Sequence, residues 1–204
     1  MSTVSKQDKS AIPSLAERLT REDWVVWEGF LPTSRVAALT LEMQALRAVG
    51  AFRGAGVGRD AQRHTAIRGD EICWLENGRT PEAERLLHEE LEALRLAVNA
   101  ATYLGLQDFE GHYAVYPAGA SYERHVDGFR EGNRRVVSLA IYLNENWDAV
   151  HGGALRLFPA GKPPISVMPT AGTLACFLSE RVPHEVLPAT RARLSLTGWF
   201  RRRA

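Results

Sequence analysis

RARLSLTGWF, residues 191–200, alternates polar and apolar side chains with a period of two. Such alternation is typical of a β-strand that has one face in a core. Five runs of the same kind precede it, separated by Gly, Pro and Asn: FEGHYAVYP (109–117), RRVVSLAIYLN (134–144), GALRLFP (153–159), PISVMP (164–169) and GTLACFLS (172–179). These runs predict an all-β half from about residue 109 to residue 200.

Helical patterns dominate the chain before residue 109. We expect a short helix from Pro13, a strand in DWVVWEGFL (23–31), and a helix that begins at Pro32 or Thr33 and ends at Gly50. A second long helix from Pro81 has an apolar face made of Leu86, Leu87, Leu91, Leu94 and Leu96. Helices followed by many short strands predict an α+β sandwich or barrel with helices on one face.

Length and composition predict one globular domain, residues 13–204, after a disordered polar tail at 1–12. The 204 residues carry a formal net charge of +1, which gives no reason to expect nucleic acid or an anionic membrane as partner. The start of the chain lacks the apolar core of a signal peptide, and no segment is apolar enough to span a bilayer. Cys73 and Cys176 lie far apart in apolar segments, so we expect two buried thiols and a cytoplasmic protein.

Three residues form a candidate metal site. In a strand, positions i and i+2 face the same side, so His125 and Asp127 of RHVDG can approach one ion. His184, between two predicted strands, can complete a set of two imidazoles and one carboxylate, the arrangement of non-haem Fe(II) oxygenases with positions left open for O2. A zinc hydrolase is the alternative metal enzyme. The remaining histidines are expected to be structural: His64, His88, His112 and His151.

Arg193 gives a second indication of a ligand site. It lies on the face of the last strand that also carries Ser195, Thr197 and Trp199 and is predicted to point into the barrel. A buried guanidinium needs an anionic partner, and a dicarboxylate ligand held by a bidentate fork would supply one. Tyr142 shares its strand face with small residues and could be a second donor to that carboxylate. Exposure of Arg193 at a strand end and an ordinary core role for Tyr142 remain open at this point.

These residues, together with IRGDEICW (67–74), YPAGASYERHVD (116–127), IYLNENWDAVHGGALRLFP (141–159) and VPHEVLPATRARLSLTGWF (182–200), resemble a known family. It is the prolyl 4-hydroxylase branch of the Fe(II)/2-oxoglutarate oxygenases, especially the hydroxylases that act on hypoxia-inducible factor and their bacterial relatives. The resemblance covers roughly residues 50–200 and implies a double-stranded β-helix, a jelly-roll, cupin-like barrel with supporting N-terminal helices.

By resemblance, His125, Asp127 and His184 hold iron, and Arg193 and Tyr142 bind the distal carboxylate of 2-oxoglutarate. Four further residues would line that pocket: Thr197, Leu155, Ile141 and Tyr116. Five would face the target residue of the substrate: Tyr122, Trp199, Arg135, Trp74 and Asp70. Asp70 is placed to pair with Arg135, and the glycine-rich loop at 52–63 resembles a finger that closes over substrate.

The implied activity is hydroxylation of a prolyl residue in a protein, with 2-oxoglutarate and O2 consumed and hydroxyproline, succinate and CO2 produced. Ascorbate would support turnover, elongation factor Tu is the candidate substrate, and the protein is expected to be a monomer. Two alternatives stay open. The same cofactors could act on a free amino acid or other small molecule, or the barrel could be a non-catalytic sensor that binds metal or ligand.

Overall fold

The computed structural model describes residues 11–56, 68–75, 81–127 and 134–203. Three α-helices occur in these segments: α1 (Ala11–Glu22), α2 (Thr33–Ala48) and α3 (Glu82–Thr102). Helix α1 begins two residues before Pro13, because a proline in the first turn has no amide hydrogen bond to lose. Residues 11 and 12 are therefore helical and not part of the predicted tail, whose residues 1–10 lie outside the described segments.

The two long helices have the predicted positions. Pro32 precedes α2 and Pro81 precedes α3, both with extended backbone that starts a helix without strain. Helix α3 buries Leu87, Leu91 and Leu94, but Leu96 is 54% exposed, so its assignment to the apolar face was wrong. Leu96 follows Leu91 by five residues, which turns it away from a face of period 3.6. No helix among the described segments is long and apolar enough to cross a membrane.

Eleven strands form in the described residues, all paired antiparallel: β1 (Trp24–Trp27), β2 (Arg53–Gly54), β3 (Glu71–Trp74), β4 (Leu106–Tyr116), β5 (Tyr122–His125), β6 (Arg135–Tyr142), β7 (Leu155–Leu157), β8 (Ile165–Val167), β9 (Leu174–Leu178), β10 (His184–Val186) and β11 (Arg193–Arg202). They make a seven-stranded sheet, ordered β1-β9-β6-β11-β4-β3-β2, and a four-stranded sheet, ordered β5-β10-β7-β8. The predicted all-β half is present and begins at Leu106. The predicted finger begins with β2, and its residues 57–63 lie outside the described segments.

The large sheet separates two cores, because successive side chains of a strand point to opposite faces. Its outer face packs under the helices through residues such as Leu196 and Phe200 of β11. Its inner face, with Ala114, Tyr142 and Phe177, packs against the small sheet. Arg193, Thr197 and Trp199 belong to this inner face, as their alternation with leucines predicted.

The two thiols differ. Cys176 is fully buried in the core beneath the helices, as predicted, and burial raises its pKa to about 12. Cys73 is only half-buried, which corrects the expectation of two buried thiols. It lies on β3, and the neighbouring two-residue strand β2 pairs with Ile72 and Glu71 but does not reach Cys73.

Candidate active site

The strands bring the three predicted metal ligands together. β5 and β10 pair so that His125 lies opposite His184, with ring centroids 4.2 Å apart. Asp127 follows β5, and its carboxylate oxygens lie 3.6 Å from Nε2 of His125 and 3.7 Å from Nε2 of His184. One ligand atom from each residue falls within 4.8 Å of the others. Two imidazoles and one carboxylate converge on one point and can hold a single cation from one side.

Backbone carbonyls orient the two imidazoles. Nδ1 of His125 lies 2.8 Å from the carbonyl oxygen of Glu123, and Nδ1 of His184 lies 3.2 Å from that of Val182. A carbonyl only accepts, so each Nδ1 carries the hydrogen and each Nε2 keeps a free lone pair. Burial lowers the pKa of His184 to about 4, which keeps this imidazole neutral and able to ligate a metal at neutral pH.

Asp127 is held as a carboxylate. Burial opposes its ionisation, but the neighbouring imidazoles and a hydrogen bond from Ser138 outweigh that effect and lower the pKa of the carboxyl group. Ser138 Oγ donates to Oδ2 over 2.6 Å, and Trp199 Nε1 donates to the same oxygen over 2.9 Å. Ser138 also lies 2.9 Å from the buried Ser179 hydroxyl. The two donors to Oδ2 thus fix the orientation of the Asp127 carboxylate before any metal binds.

Arg193 fits an anionic ligand. The side chain is buried, with only 3% of its surface exposed, and Nη2 donates to the Tyr142 hydroxyl over 3.4 Å. Within the described residues Nε and Nη1 have no hydrogen-bond partner, and no carboxylate forms an ion pair with the guanidinium. A buried cation with two unused donors is costly unless an anion binds. The distal carboxylate of 2-oxoglutarate is an anion of the right shape for this fork.

Three of the four predicted pocket residues line the cavity that contains both Arg193 and the metal ligands. They are Thr197, Leu155 and Tyr116. Ile141 does not: it is fully buried in the core under the helices, on the opposite face of β6 from Tyr142. Residues one apart on a strand face opposite ways, so the assignment was wrong. Ala140, two residues before Tyr142, lines the cavity instead.

Four of the residues predicted to face the substrate lie in or beside the wall of this cavity. Tyr122 and Trp199 are part of its wall, and Tyr122 stacks on His125 with ring centroids 3.7 Å apart. Trp74 is 45% exposed and lies 6.4 Å from Trp199, ring to ring. The guanidinium of Arg135 covers the Trp199 ring at 3.5 Å. These four residues form an aromatic and cationic surface beside the metal ligands.

The predicted pairing of Asp70 with Arg135 was wrong. Asp70 accepts two hydrogen bonds from Arg68, at 2.6 and 2.9 Å, which satisfy both of its carboxylate oxygens. Arg135 instead pairs with Glu110 at 2.8 Å. Arg68 and Asp70 are two residues apart in an extended segment, so their side chains lie on the same side and the Arg68 guanidinium is near enough to pair with the carboxylate. Asp70 still lines the cavity, together with Arg68.

The sequence interpretation missed His112. This histidine is 1% exposed and lines the same cavity, although it was expected to be structural. It has the same strand parity as Ala114 and Tyr116, so the period of two placed it on the inner face together with Tyr116. The role of Ser138 was also missed, because its bond to Asp127 depends on the approach of β6 to the turn after β5, which no local pattern encodes.

Comparison with known proteins agrees with this geometry. The family model of the 2OG-Fe(II) oxygenase superfamily matches residues 111–201. Human Egl nine homolog 1 is 34% identical over 203 residues, a match that covers 94% of this chain and 47% of the human protein. The chain therefore spans about half the length of that relative.

Two solved structures extend the comparison. A prolyl-4-hydroxylase from Pseudomonas putida is 45% identical and superimposes with a TM-score of 0.87 over 95% of this chain and 100% of that chain. A prolyl hydroxylase from Trichoplax adhaerens, solved with a hypoxia-inducible factor peptide fragment, is 27% identical with a TM-score of 0.87, covering 95% and 90% of the two chains. The chain belongs to the prolyl hydroxylases of the 2OG-Fe(II) oxygenase superfamily. The predicted double-stranded β-helix is confirmed.

Proposed function

We propose that this protein hydroxylates a prolyl residue in a protein substrate, with Fe(II) bound by His125, Asp127 and His184 and with 2-oxoglutarate and O2 as co-substrates. One observation carries the proposal: the buried guanidinium of Arg193 lies in the wall of the same cavity as the three metal ligands, with two donors unused. A zinc hydrolase has no need of such a cation, whereas a dicarboxylate co-substrate does.

Each part of the cavity has a separate task. Arg193 and Tyr142 bind the distal carboxylate, and the packed walls around Leu155 and Tyr116 keep water from the ligand. Ser138 and Trp199 hold the Asp127 carboxylate in position. Bound iron, with 2-oxoglutarate and O2, supplies the oxidising chemistry, which releases succinate and CO2. The protein contributes orientation and exclusion of solvent.

The exposed edge of the cavity supports a polypeptide substrate. Trp74 is exposed and Arg135 is partly exposed, and both lie beside the buried Trp199 next to the metal ligands, where one residue of an extended chain can enter. Aromatic faces suit the apolar ring of proline. The Trichoplax adhaerens relative was solved with a peptide, which supports a peptide as substrate here.

The finer features of the proposal come from the resemblance of the sequence to bacterial family members. Elongation factor Tu is the substrate we propose, in the cytoplasm, with the enzyme acting as a monomer. Ascorbate is proposed to sustain turnover by keeping iron ferrous. Incubation of purified enzyme with purified elongation factor Tu, with and without ascorbate, tests substrate and reductant together. Size-exclusion chromatography with light scattering tests the monomer.

Binding of the co-substrate tests the function itself. Anaerobic protein with Fe(II) should develop a weak visible charge-transfer band when 2-oxoglutarate is added, and aerobic turnover should convert 2-oxoglutarate into succinate. The Asp127→Ala variant should give neither result. If wild-type protein with Fe(II) shows neither the band nor succinate, the proposed function is wrong.

A further inference from the structure

His112 is a buried polar group with an unexplained environment. Both ring nitrogens lack a hydrogen-bond partner among the described residues, although only 1% of the side chain is exposed. A buried imidazole normally satisfies at least one nitrogen. The ring contacts Trp74 and Trp199 edgewise or at a tilt, with centroids 4.8 and 5.5 Å away, and these rings offer no strong acceptor. A ligand bound in the cavity that His112 lines would supply the missing partner.

The register of the strands shows which end of the cavity His112 faces. On β4 and β11, Tyr116 lies opposite Arg193, and His112 lies opposite Thr197. The four residues from Tyr116 to His112 correspond to about 13 Å along the strand. Trp199, whose ring lies beside His112, donates to the metal ligand Asp127. His112 therefore faces the metal end of the cavity, whereas Arg193 marks the opposite end.

The imidazole is neutral at this position. Burial is the main cause of a pKa lowered to about 3, and the nearby Arg68 and Arg135 lower it further, while Asp127 opposes them. A neutral imidazole carries one N–H donor, and the carboxylate at the metal end of a bound dicarboxylate is an acceptor without a described donor. The donor and the acceptor complement each other.

We propose that the imidazole of His112 donates a hydrogen bond to the metal-chelating carboxylate of bound 2-oxoglutarate, and that His112 is a further binding residue for this co-substrate. This inference rests on the proposed function, since it needs 2-oxoglutarate bound between Arg193 and the metal. In this arrangement the two carboxylates of the ligand are bound by different donors, Arg193 with Tyr142 at one end and His112 at the other.

Ligand titrations on protein loaded with redox-inert Mn(II) test the proposal. His112→Phe keeps a ring between the indoles but removes the donor, and we expect the Kd for 2-oxoglutarate to rise about tenfold. His112→Gln, which restores a donor, should recover most of that loss. His88→Phe, on helix α3 away from the cavity, is the matched control and should bind like wild type. Mn(II) affinity should be the same in all four proteins.

The ligand 4-oxopentanoate separates the two carboxylates, because it keeps the keto group and the distal carboxylate but has a methyl group in place of the chelating one. Its weaker affinity should not change in His112→Phe. The proposal is wrong if His112→Phe binds 2-oxoglutarate as tightly as wild type, or if both ligands weaken equally. If wild-type protein fails to bind 2-oxoglutarate, the proposed function fails first, which is a distinct result.

A spectroscopic measurement does not depend on the stability of the variant. In wild-type protein with Zn(II) and histidine labelled with nitrogen-15, the His112 N–H signal should move downfield and exchange more slowly with solvent when 2-oxoglutarate is added. An N–H signal that is unaffected by 2-oxoglutarate would show that His112 only packs between the indoles.

Discussion

Trp199 donates a hydrogen bond of 2.9 Å from its indole Nε1 to Oδ2 of the metal ligand Asp127. The same indole lies beneath the guanidinium of Arg135, so one side chain contacts both the metal site and the proposed substrate surface. Donors of this kind fix the direction of a ligand oxygen and usually matter for metal affinity.

Replacing this donor should weaken metal binding. In Trp199→Phe the ring remains but the N–H is lost, and we expect the Kd for Mn(II) to rise about tenfold or more, as measured by titration calorimetry. Trp74→Phe is the control, because the neighbouring Trp74 indole makes no hydrogen bond to this carboxylate in the described part of the chain. Equal metal affinity in wild type and Trp199→Phe would show that Ser138 alone positions Asp127.

Arg193 should control co-substrate binding and leave metal binding intact. Arg193→Ala removes the fork, so we expect the Kd for 2-oxoglutarate to rise about 100-fold while Mn(II) binds as before. Arg191→Ala is the control, since Arg191 is exposed and donates to the Asn146 carbonyl outside the cavity. Unchanged 2-oxoglutarate binding in Arg193→Ala would favour a hydrolase or another ligand.

The two faces of β6 should respond differently to small changes in volume. Ala140→Val adds bulk to the cavity wall and should weaken 2-oxoglutarate binding by about tenfold. Ile141→Val removes one methylene group from the core beneath the helices and should cost about 0.5–1.5 kcal/mol of unfolding free energy, with normal ligand binding. Urea unfolding and ligand titration on both variants measure these effects. If Ile141→Val weakened ligand binding and Ala140→Val lowered only the unfolding free energy, the assignment of the two residues to the faces of β6 would be wrong.

The inner face of β11 could be predicted from sequence. Side chains of a strand alternate between two faces with a period of two, so the sequence directly indicates which residues share a face. Arg193, Thr197 and Trp199 were found in this way, and the same rule applied to β6 would have selected Ala140 in place of Ile141. The metal ligands His125 and Asp127 are also local, two residues apart. Their convergence with His184 depends on the pairing of β5 with β10. In the sequence, only the family resemblance supported that pairing.

Contacts between distant strands could not be predicted. Asp70 forms an ion pair with Arg68, and Arg135 forms one with Glu110. The arrangement of the strands determines which charged side chains lie nearest to each other. Sequence shows only that acids and bases are available. His112 was missed for a related reason: an imidazole is read as structural until the structure shows that both its nitrogens lack a partner in the described residues.

Protein stability should depend on pH through His112. Burial lowers the pKa of this histidine in the folded state to about 3, whereas it is about 6.5 when unfolded. Only the unfolded state then takes up a proton as the pH falls from about 6.5 to about 3, so the folded state loses stability across this window. Asp127 acts against the effect and Arg68 and Arg135 reinforce it.

This pH effect can be isolated with one variant. For metal-free protein, the unfolding free energy of wild type minus that of His112→Phe should fall with decreasing pH by up to about 1.4 kcal/mol per unit below about pH 6. Urea unfolding at several pH values measures the difference, and other titrating groups cancel in the subtraction. A difference that stays constant with pH would mean that His112 can be protonated in the folded protein.

Proteins from cells that contain the wild-type enzyme, the Asp127→Ala variant or no enzyme provide the most direct test of prolyl hydroxylation. Mass spectrometry after growth under isotopically labelled O2 should find one heavy oxygen atom on a specific proline of a protein, and only in cells with the wild-type enzyme. The account is contradicted if purified enzyme converts 2-oxoglutarate but no protein proline gains oxygen, or if the labelled oxygen appears only in small molecules.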